Sequence, residues 1–112
     1  MRPVVYTLTD ASGGAKTSQV CPLDHYTSPF NVSLQGLVSG TANYTVEYTF
    51  DSVFAPDYNP TTGNWTAHPS FNGITSTADS NIAMPVSGVR LKLNSGTGTV
   101  RLTITQAGGG DA

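Results

Sequence analysis

Charge is scarce in this chain of 112 residues, in which five Lys and Arg and seven Asp and Glu leave a formal net charge of −2. Nucleic acid is bound mainly through clustered basic side chains, so it is not an expected partner. The single cysteine, Cys21, excludes an intrachain disulfide and is expected to be a small buried residue. No apolar run approaches the roughly 20 residues of a membrane helix, and no membrane partner is expected.

Export and catalytic signals are also missing. The first ten residues contain no apolar run followed by a small-residue cleavage site, so we expect synthesis in the cytoplasm without export by the usual route. His25 follows Asp24, but neighbours on an extended chain point to opposite sides and do not form a base with its orienting acid. Cys21, His25 and His68 are too few and too widely spaced for a metal site. We expect no enzyme, no metal and no cofactor.

What is present is alternation. In the stretch from Ala42 to Asp51, apolar and polar residues alternate with the period of a β-strand, and we expect Tyr44, Val46, Tyr48 and Phe50 on its buried side. Much Thr and Gly, with little Leu, Ala, Glu and Lys, favours an all-β protein. The prediction is a single small antiparallel β-sandwich over residues 1–107, jelly-roll-like or immunoglobulin-like, followed by a flexible Gly-rich tail at 108–112.

Further strands are predicted at Val4–Leu8, Ser18–Leu23, Phe30–Gln35, Asn81–Val86, Gly88–Leu93 and Val100–Thr105. Short connections predict two hairpins, one joining 30–35 to the central strand and one joining 88–93 to 100–105. The second hairpin places Arg101 opposite Arg90 or Lys92. Like charges in that position are unfavourable unless Glu47 and Asp51 neutralise them, which makes this basic face a candidate interface.

Residues 52–80 are interrupted by Pro and Gly and carry most of the remaining aromatics. We expect two short strands here, at Asn64–His68 and Phe71–Thr75, on a long excursion. Tyr58, Trp65 and Phe71 have two interpretations. They either form a platform on which a sugar stacks or, as the more frequent arrangement, cap one end of a small core.

Several segments in a fixed order resemble a family of small virion proteins of tailed phages and prophages, over about Tyr6 to Gly108. The segments are Tyr44–Asp51, Asn59-Pro60 before Trp65 and His68-Pro69, Ala78-Asp79 before Pro85, and Val89-Arg-Leu before Gly96-Thr-Gly98 and the final Thr-Ile-Thr-Gln-Ala-Gly. This resemblance implies a capsid decoration, or cement, protein on the outer face of the virion shell, made in the cytoplasm of the host bacterium. No catalytic motif accompanies it.

The implied partner is the major capsid protein, with other copies of the chain as a second candidate. The expected contact residues are Arg2, Val4, Tyr6, Tyr58, Trp65, Arg90, Lys92 and Arg101. The alternative is a module of the phage tail or tail fibre that binds glycans or acts as an adaptor. Glycan binding would require Trp65 and Tyr58 side by side on the surface.

Overall fold

The computed structural model describes residues 3–23, 31–51, 63–84 and 86–106. Its strands are Val4–Thr9 (β1), Lys16–Thr17 (β2), Cys21–Pro22 (β3), Val32–Ser39 (β4), Asn43–Thr49 (β5), Thr66–Ala67 (β6), Ala78–Ile82 (β7), Gly88–Ser95 (β8) and Thr99–Gln106 (β9). One short 3-10 helix covers Pro69–Phe71. No helix within the described ranges is long and apolar enough to cross a membrane. Residues 108–112, the predicted tail, lie outside these ranges.

The strands form two antiparallel sheets. Sheet I has the order β1-β9-β4-β7, and sheet II has β8 and β5 at its centre with β6 on one edge. On the other edge of sheet II, β2 and β3 both pair with β8, so Pro22 lies on an edge strand as expected. Apolar side chains from both sheets fill one core between them. The predicted all-β antiparallel sandwich is confirmed.

The central strand behaves as predicted up to its end. Tyr44 and Val46 on β5 are fully buried, and Tyr48 is nearly so. The prediction that Phe50 lies on the buried side is wrong, because 61% of its surface is exposed. The ladder between β5 and β8 ends at the pair Thr49 and Gly88, so the alternation that would turn Phe50 inward has already stopped. Its ring instead meets the Tyr48 ring edge-on, with centroids 5.8 Å apart.

Both predicted hairpins are wrong. Strand β4 belongs to sheet I and β5 to sheet II, and likewise β8 and β9 lie in different sheets. Arg101 is therefore paired with Thr7 on one side and Leu37 on the other, away from Arg90 and Lys92. Alternating apolar residues and a Gly-containing connection satisfy a crossing between sheets as well as they satisfy a hairpin.

The crossings are held together at one end of the sandwich. Gly98 N donates to Thr41 O at 2.7 Å, and Ala11 N donates to Gly96 O at 2.8 Å. A Cβ on Gly98 would lie 2.7 Å from Thr41 N, too close for any side chain. Backbone thus packs directly on backbone where β1 leads to β2, β4 to β5 and β8 to β9, and glycine is required for that approach.

Two other strand predictions are shifted. The strand expected at Asn81–Val86 lies earlier, as β7, and pairs with β4 from Val32 to Gly36. Of the two short strands expected on the excursion, only β6 forms as a strand. The second is replaced by the 3-10 helix and by a single bridge between Ile74 and Tyr44. Proline at the helix start and the His68 cap favour a tight turn over a strand there.

The two sheets pack tightly where Tyr44 of sheet II lies over Gly36 of sheet I. A Cβ on Gly36 would come within 2.8 Å of two Tyr44 ring carbons. The Tyr44 hydroxyl donates to Ser76 O at 3.0 Å, so the ring is fixed at its far end too. Phe71 packs beside it at 6.2 Å between ring centroids and completes the core.

Gly36→Ala is expected to lower the free energy of unfolding by about 1–3 kcal/mol, because the new methyl group overpacks the contact with Tyr44. The matched control is Gly13→Ala, since a Cβ there meets nothing within 4 Å. The control should change stability by less than about 1 kcal/mol. Urea unfolding followed by circular dichroism measures both. Equal effects of the two substitutions would contradict the tight contact between the sheets.

Cys21 is buried as predicted, with 2% of its surface exposed. Burial raises the pKa of the thiol to about 11, from a reference value of 9.0, and a hydrogen bond with Tyr6 offsets only part of this. We expect the native thiol to react with a disulfide reagent at pH 8 at least about a hundredfold more slowly than the urea-unfolded chain, because the thiolate is the reactive form. Equal rates in the two states would contradict the buried position.

Candidate interface

The outer face of sheet II is partly covered by the chain itself. Thr45 Oγ1 accepts from Gly73 N at 3.0 Å and from Asn94 Nδ2 at 2.9 Å. Asn94 Nδ2 also donates to Asn43 Oδ1, and Asn43 Nδ2 donates to Gly73 O. Three outward side chains of β5 and β8, Asn43, Thr45 and Asn94, therefore hold the segment that follows the 3-10 helix.

A second part of the outer face of sheet II is covered by the side chains of Trp65, Arg90 and Glu47. Arg90 Nε donates to Glu47 Oε1 at 2.8 Å. Both side chains are largely buried, with 15% of Arg90 and 14% of Glu47 exposed. The Arg90 guanidinium carbon lies 4.1 Å from the centre of the Trp65 ring. The prediction that Glu47 neutralises a basic residue is confirmed for Arg90. Asp51 has another role, since its carboxylate accepts from Asn64 N at 2.7 Å.

His68 closes one side of the sandwich. Its Nδ1 accepts from Ser70 N at 3.1 Å, which leaves the proton on Nε2, and Nε2 donates to Asn81 O at 2.9 Å. The imidazole thereby connects the 3-10 helix to β7 of sheet I. Phe71 in that helix is fully buried, so the capping interpretation is confirmed for Phe71. Tyr58 lies outside the described residues.

The outer face of sheet I, in contrast, is open. We call it the open face and define it by the outward side chains of its four strands. They are Val5, Thr7, Thr9, Ser33, Gln35, Leu37, Ser39, Asp79, Asn81, Thr99, Arg101, Thr103 and Thr105. Hydroxyl and amide groups dominate, and two apolar side chains, Val5 (44% exposed) and Leu37 (38%), are set among them.

The register places these side chains in rows across the sheet. One row runs Val5, Thr103, Gln35 and Asp79, and the next runs Thr7, Arg101 and Leu37. A shallow depression of about 380 Å³ lies over β4, β7 and β9 and is lined by Ser33, Leu34, Gln35, Asp79, Ser80, Thr103 and Thr105. Such a lattice of short polar side chains offers many hydrogen-bonding groups with little side-chain entropy to lose on contact.

Arg101 is the cation of the open face. It is exposed on β9 between Thr7 and Leu37, with no acidic residue paired beside it on either neighbouring strand. Among the described side chains, the ion pair is formed by Arg90 and Glu47, and Arg101 takes no part in it. The planar guanidinium of arginine can bind a carboxylate through two hydrogen bonds, so Arg101 is suited to anchor an acidic or carbonyl-rich partner surface.

The residues expected to form an interface are thus separated. Arg90 and Lys92 lie on sheet II and Arg101 on sheet I, so the predicted basic face of all three residues does not exist. Lys92 is half-buried between Thr17 and Thr45. Trp65 is half-buried against Arg90, so one face of its ring is already occupied.

The expected contact residues of the N-terminal segment are Arg2, Val4 and Tyr6, and the two that are described do not lie on the open face. Val4 and Tyr6 point toward the core at the edge of sheet I, while their neighbours Val5 and Thr7 point outward. Arg2 lies outside the described residues. The contact roles expected for these side chains, as for the others, stay predictions.

Sequence reasoning missed the open face as a unit. The signal was present, because the outward positions of β1, β4 and β9 are mostly Thr, Ser and Gln. Their grouping required the strand order, since β1, β4 and β9 are far apart in the chain and become neighbours only in sheet I. Within the part of the chain that the structure describes, no group of three or more His, Cys, Asp and Glu residues is placed to hold a metal ion.

No protein-family model matches the chain, and no curated protein matches it. A chain in the structure of infectious bursal disease virus Gx strain is similar over 98% of this chain, with 20% identity and a TM-score of 0.31. The present chain spans 33% of that chain's length.

Glu47→Gln is expected to lower the free energy of unfolding by about 1–3 kcal/mol, because it removes the charged acceptor of a largely buried arginine. Lys92→Asn is the matched control, since Lys92 is the outward cation two residues from Arg90 on β8 and forms no ion pair with a described side chain. The control should change stability by less than about 0.5 kcal/mol. Urea unfolding distinguishes them, and an effect of Glu47→Gln no larger than that of the control would contradict a structural role for the pair.

Proposed function

We propose that this chain is a virion structural protein that decorates the capsid of a tailed phage, binding the outer face of the major capsid protein shell and stabilising it. Two findings support the proposal. One is the sequence resemblance, and the other, on which it mainly depends, is the open face of sheet I with exposed Arg101 at its centre. The partner, the capsid location and the cementing role are inferences from these two.

The chemistry of the open face suits contact with a large protein surface. Its hydroxyl and amide groups can bond directly or through water to a partner backbone, and interfaces of this kind are commonly wet. Val5 and Leu37 supply exposed apolar area, and the flexible stem of Arg101 lies between Thr7 and Leu37. Arginine is among the residues that contribute most to binding energy at interfaces.

The strand order supports a viral role in a general way. If β2 and β3 are counted as one interrupted strand, the sheets have the orders 1-8-3-6 and 2-7-4-5. We infer that this sandwich is an eight-stranded jelly roll, an architecture used in viral capsid and lectin domains. Fold alone does not determine function, so the capsid proposal rests on the open face and on the sequence resemblance.

The chain would stabilise the shell by bridging neighbouring capsid subunits at a junction that repeats over the lattice. A molecule whose open face bridges two capsid subunits adds contacts that must break when the subunits separate. Each contact can be modest, because the same junction recurs over the whole shell. Removing the chain is then expected to make heads less resistant to heat and to chelating agents.

The tail-module alternative requires a different surface. Sugar stacking would use Trp65, but the Arg90 guanidinium already covers one face of its ring. The open face carries no aromatic side chain among its outward residues. A glycan array with wild type and Trp65→Ala separates the two functions, since the decoration proposal expects no glycan signal that depends on Trp65.

Arg101→Glu is expected to weaken binding to heads by at least about tenfold, because it replaces the cation at the centre of the open face by an anion. The control is Lys92→Glu, which makes the same charge change on sheet II and should bind like wild type. Heads that lack the chain are incubated with each variant and sedimented, and bound protein is quantified. Circular dichroism establishes that both variants are folded.

Two outcomes would contradict the proposal. If purified virions contain none of this chain by mass spectrometry, the decoration role is wrong. If Lys92→Glu abolishes binding while Arg101→Glu does not, the chain binds heads through sheet II and the open face is not the contact.

A further inference from the structure

The edges of the two sheets are protected unequally. Strand β6 has two residues, β2 and β3 have two each and include Lys16 and Pro22, and β7 carries Asp79. These are the devices that prevent an edge strand from pairing with another chain. Strand β1 has six residues, Val-Val-Tyr-Thr-Leu-Thr, with no charge and no proline, and among the described residues it pairs only with β9.

Two hydrogen bonds show which backbone groups of β1 face away from β9. Asp10 N donates to Gly98 O, beside β9, whereas Thr9 O accepts from Lys16 Nζ at 2.8 Å. In an antiparallel strand, the N–H and C=O of one residue point to the same side, and the side alternates along the chain. Even-numbered residues therefore bond to β9, and the amide and carbonyl groups of Val5 and Thr7 point away from the sheet.

We propose that β1 pairs with β1 of a second copy of this chain, antiparallel and about a two-fold axis at Tyr6. In this register Val5 faces Thr7 of the second copy, and Thr7 faces Val5 of the second copy, so four backbone hydrogen bonds form. The result is one continuous eight-stranded sheet across two molecules. The proposal concerns self-association and does not depend on the virion role.

The competing registers are poorer for reasons visible in the strand. A shift toward the N-terminus sets Thr7 against Pro3, which has no N–H to donate. A shift toward the C-terminus sets Val5 against Thr9, whose carbonyl already binds Lys16. A shift by one residue would place the outward side chains of one copy on the core side of the other.

Side chains support the same register. On the outer surface, Val5 meets Thr7 of the second copy, a favourable pair of β-branched residues. On the core side, half-buried Val4 meets Leu8 of the second copy, and the half-buried Tyr6 rings meet at the axis. The contact is about 17 Å long, which is small for a permanent dimer, so association should be weak in solution and stronger where copies are crowded.

The test uses charges at the two outward positions. Wild type should show, by sedimentation equilibrium from about 10 µM to about 1 mM, a mean mass that rises from 11.7 kDa toward twice that value. Val5→Lys with Thr7→Lys should weaken association at least about tenfold, and Val5→Glu with Thr7→Glu should do the same. An equimolar mixture of the two variants should associate again, because each lysine then faces a glutamate.

The control is Ser33→Lys with Gln35→Lys, which adds the same charge to the same sheet face on central strand β4 and should dimerise like wild type. Wild type that stays monomeric at about 1 mM would overturn the proposal. So would a Val5, Thr7 double-lysine variant that associates like wild type, because the contact would then lie elsewhere.

A cross-linking experiment fixes the register. Facing residues of a hydrogen-bonded pair have Cα atoms about 5.5 Å apart, within disulfide range. Val5→Cys mixed with Thr7→Cys should form a disulfide-linked dimer under mild oxidation, at least about tenfold faster than Val5→Cys alone. Native Cys21 is buried and should not interfere. Equal rates with and without Thr7→Cys would overturn the proposed register.

Discussion

The packing of the Tyr44 ring on Gly36 joins the two sheets across the core. A residue without a side chain on β4 leaves room for an aromatic ring from β5, and the ring reaches across the core to the backbone at Ser76. The two sheets are thereby held at a fixed spacing with the open face outside one of them. Burial raises the pKa of the Tyr44 hydroxyl, as expected for a phenol kept neutral inside a core.

The crossings between sheets determine which side chains become neighbours. Because β8 and β9 separate at Gly96–Gly98, Arg90 joins Glu47 on one sheet and Arg101 joins Thr7 and Leu37 on the other. One outer surface is then partly covered by Trp65 and by the segment after the 3-10 helix, while the other stays open. The same division leaves β1 as an uncharged edge.

Alternation in the sequence was enough to predict the fold class and most buried residues, because Val46, Leu91, Leu102 and Ile104 must point inward in any two-layer arrangement. It was not enough to pair the strands. The connections at Gly40 and Gly98 look like hairpin turns, and the interactions that distinguish a crossing are backbone hydrogen bonds between distant segments. The candidate basic face was therefore wrong, although each of its residues was correctly expected to point outward.

The open face exists because β8 and β9 lie in different sheets, and nuclear Overhauser effects in isotopically labelled protein measure that placement. The structure requires cross-strand contacts from the Arg101 backbone to Thr7 and to Leu37, and from Arg90 to Glu47. Contacts from the Arg101 backbone to Arg90 or Lys92 would mean that the two strands form a hairpin. The open face, and the interface proposed on it, would then not exist.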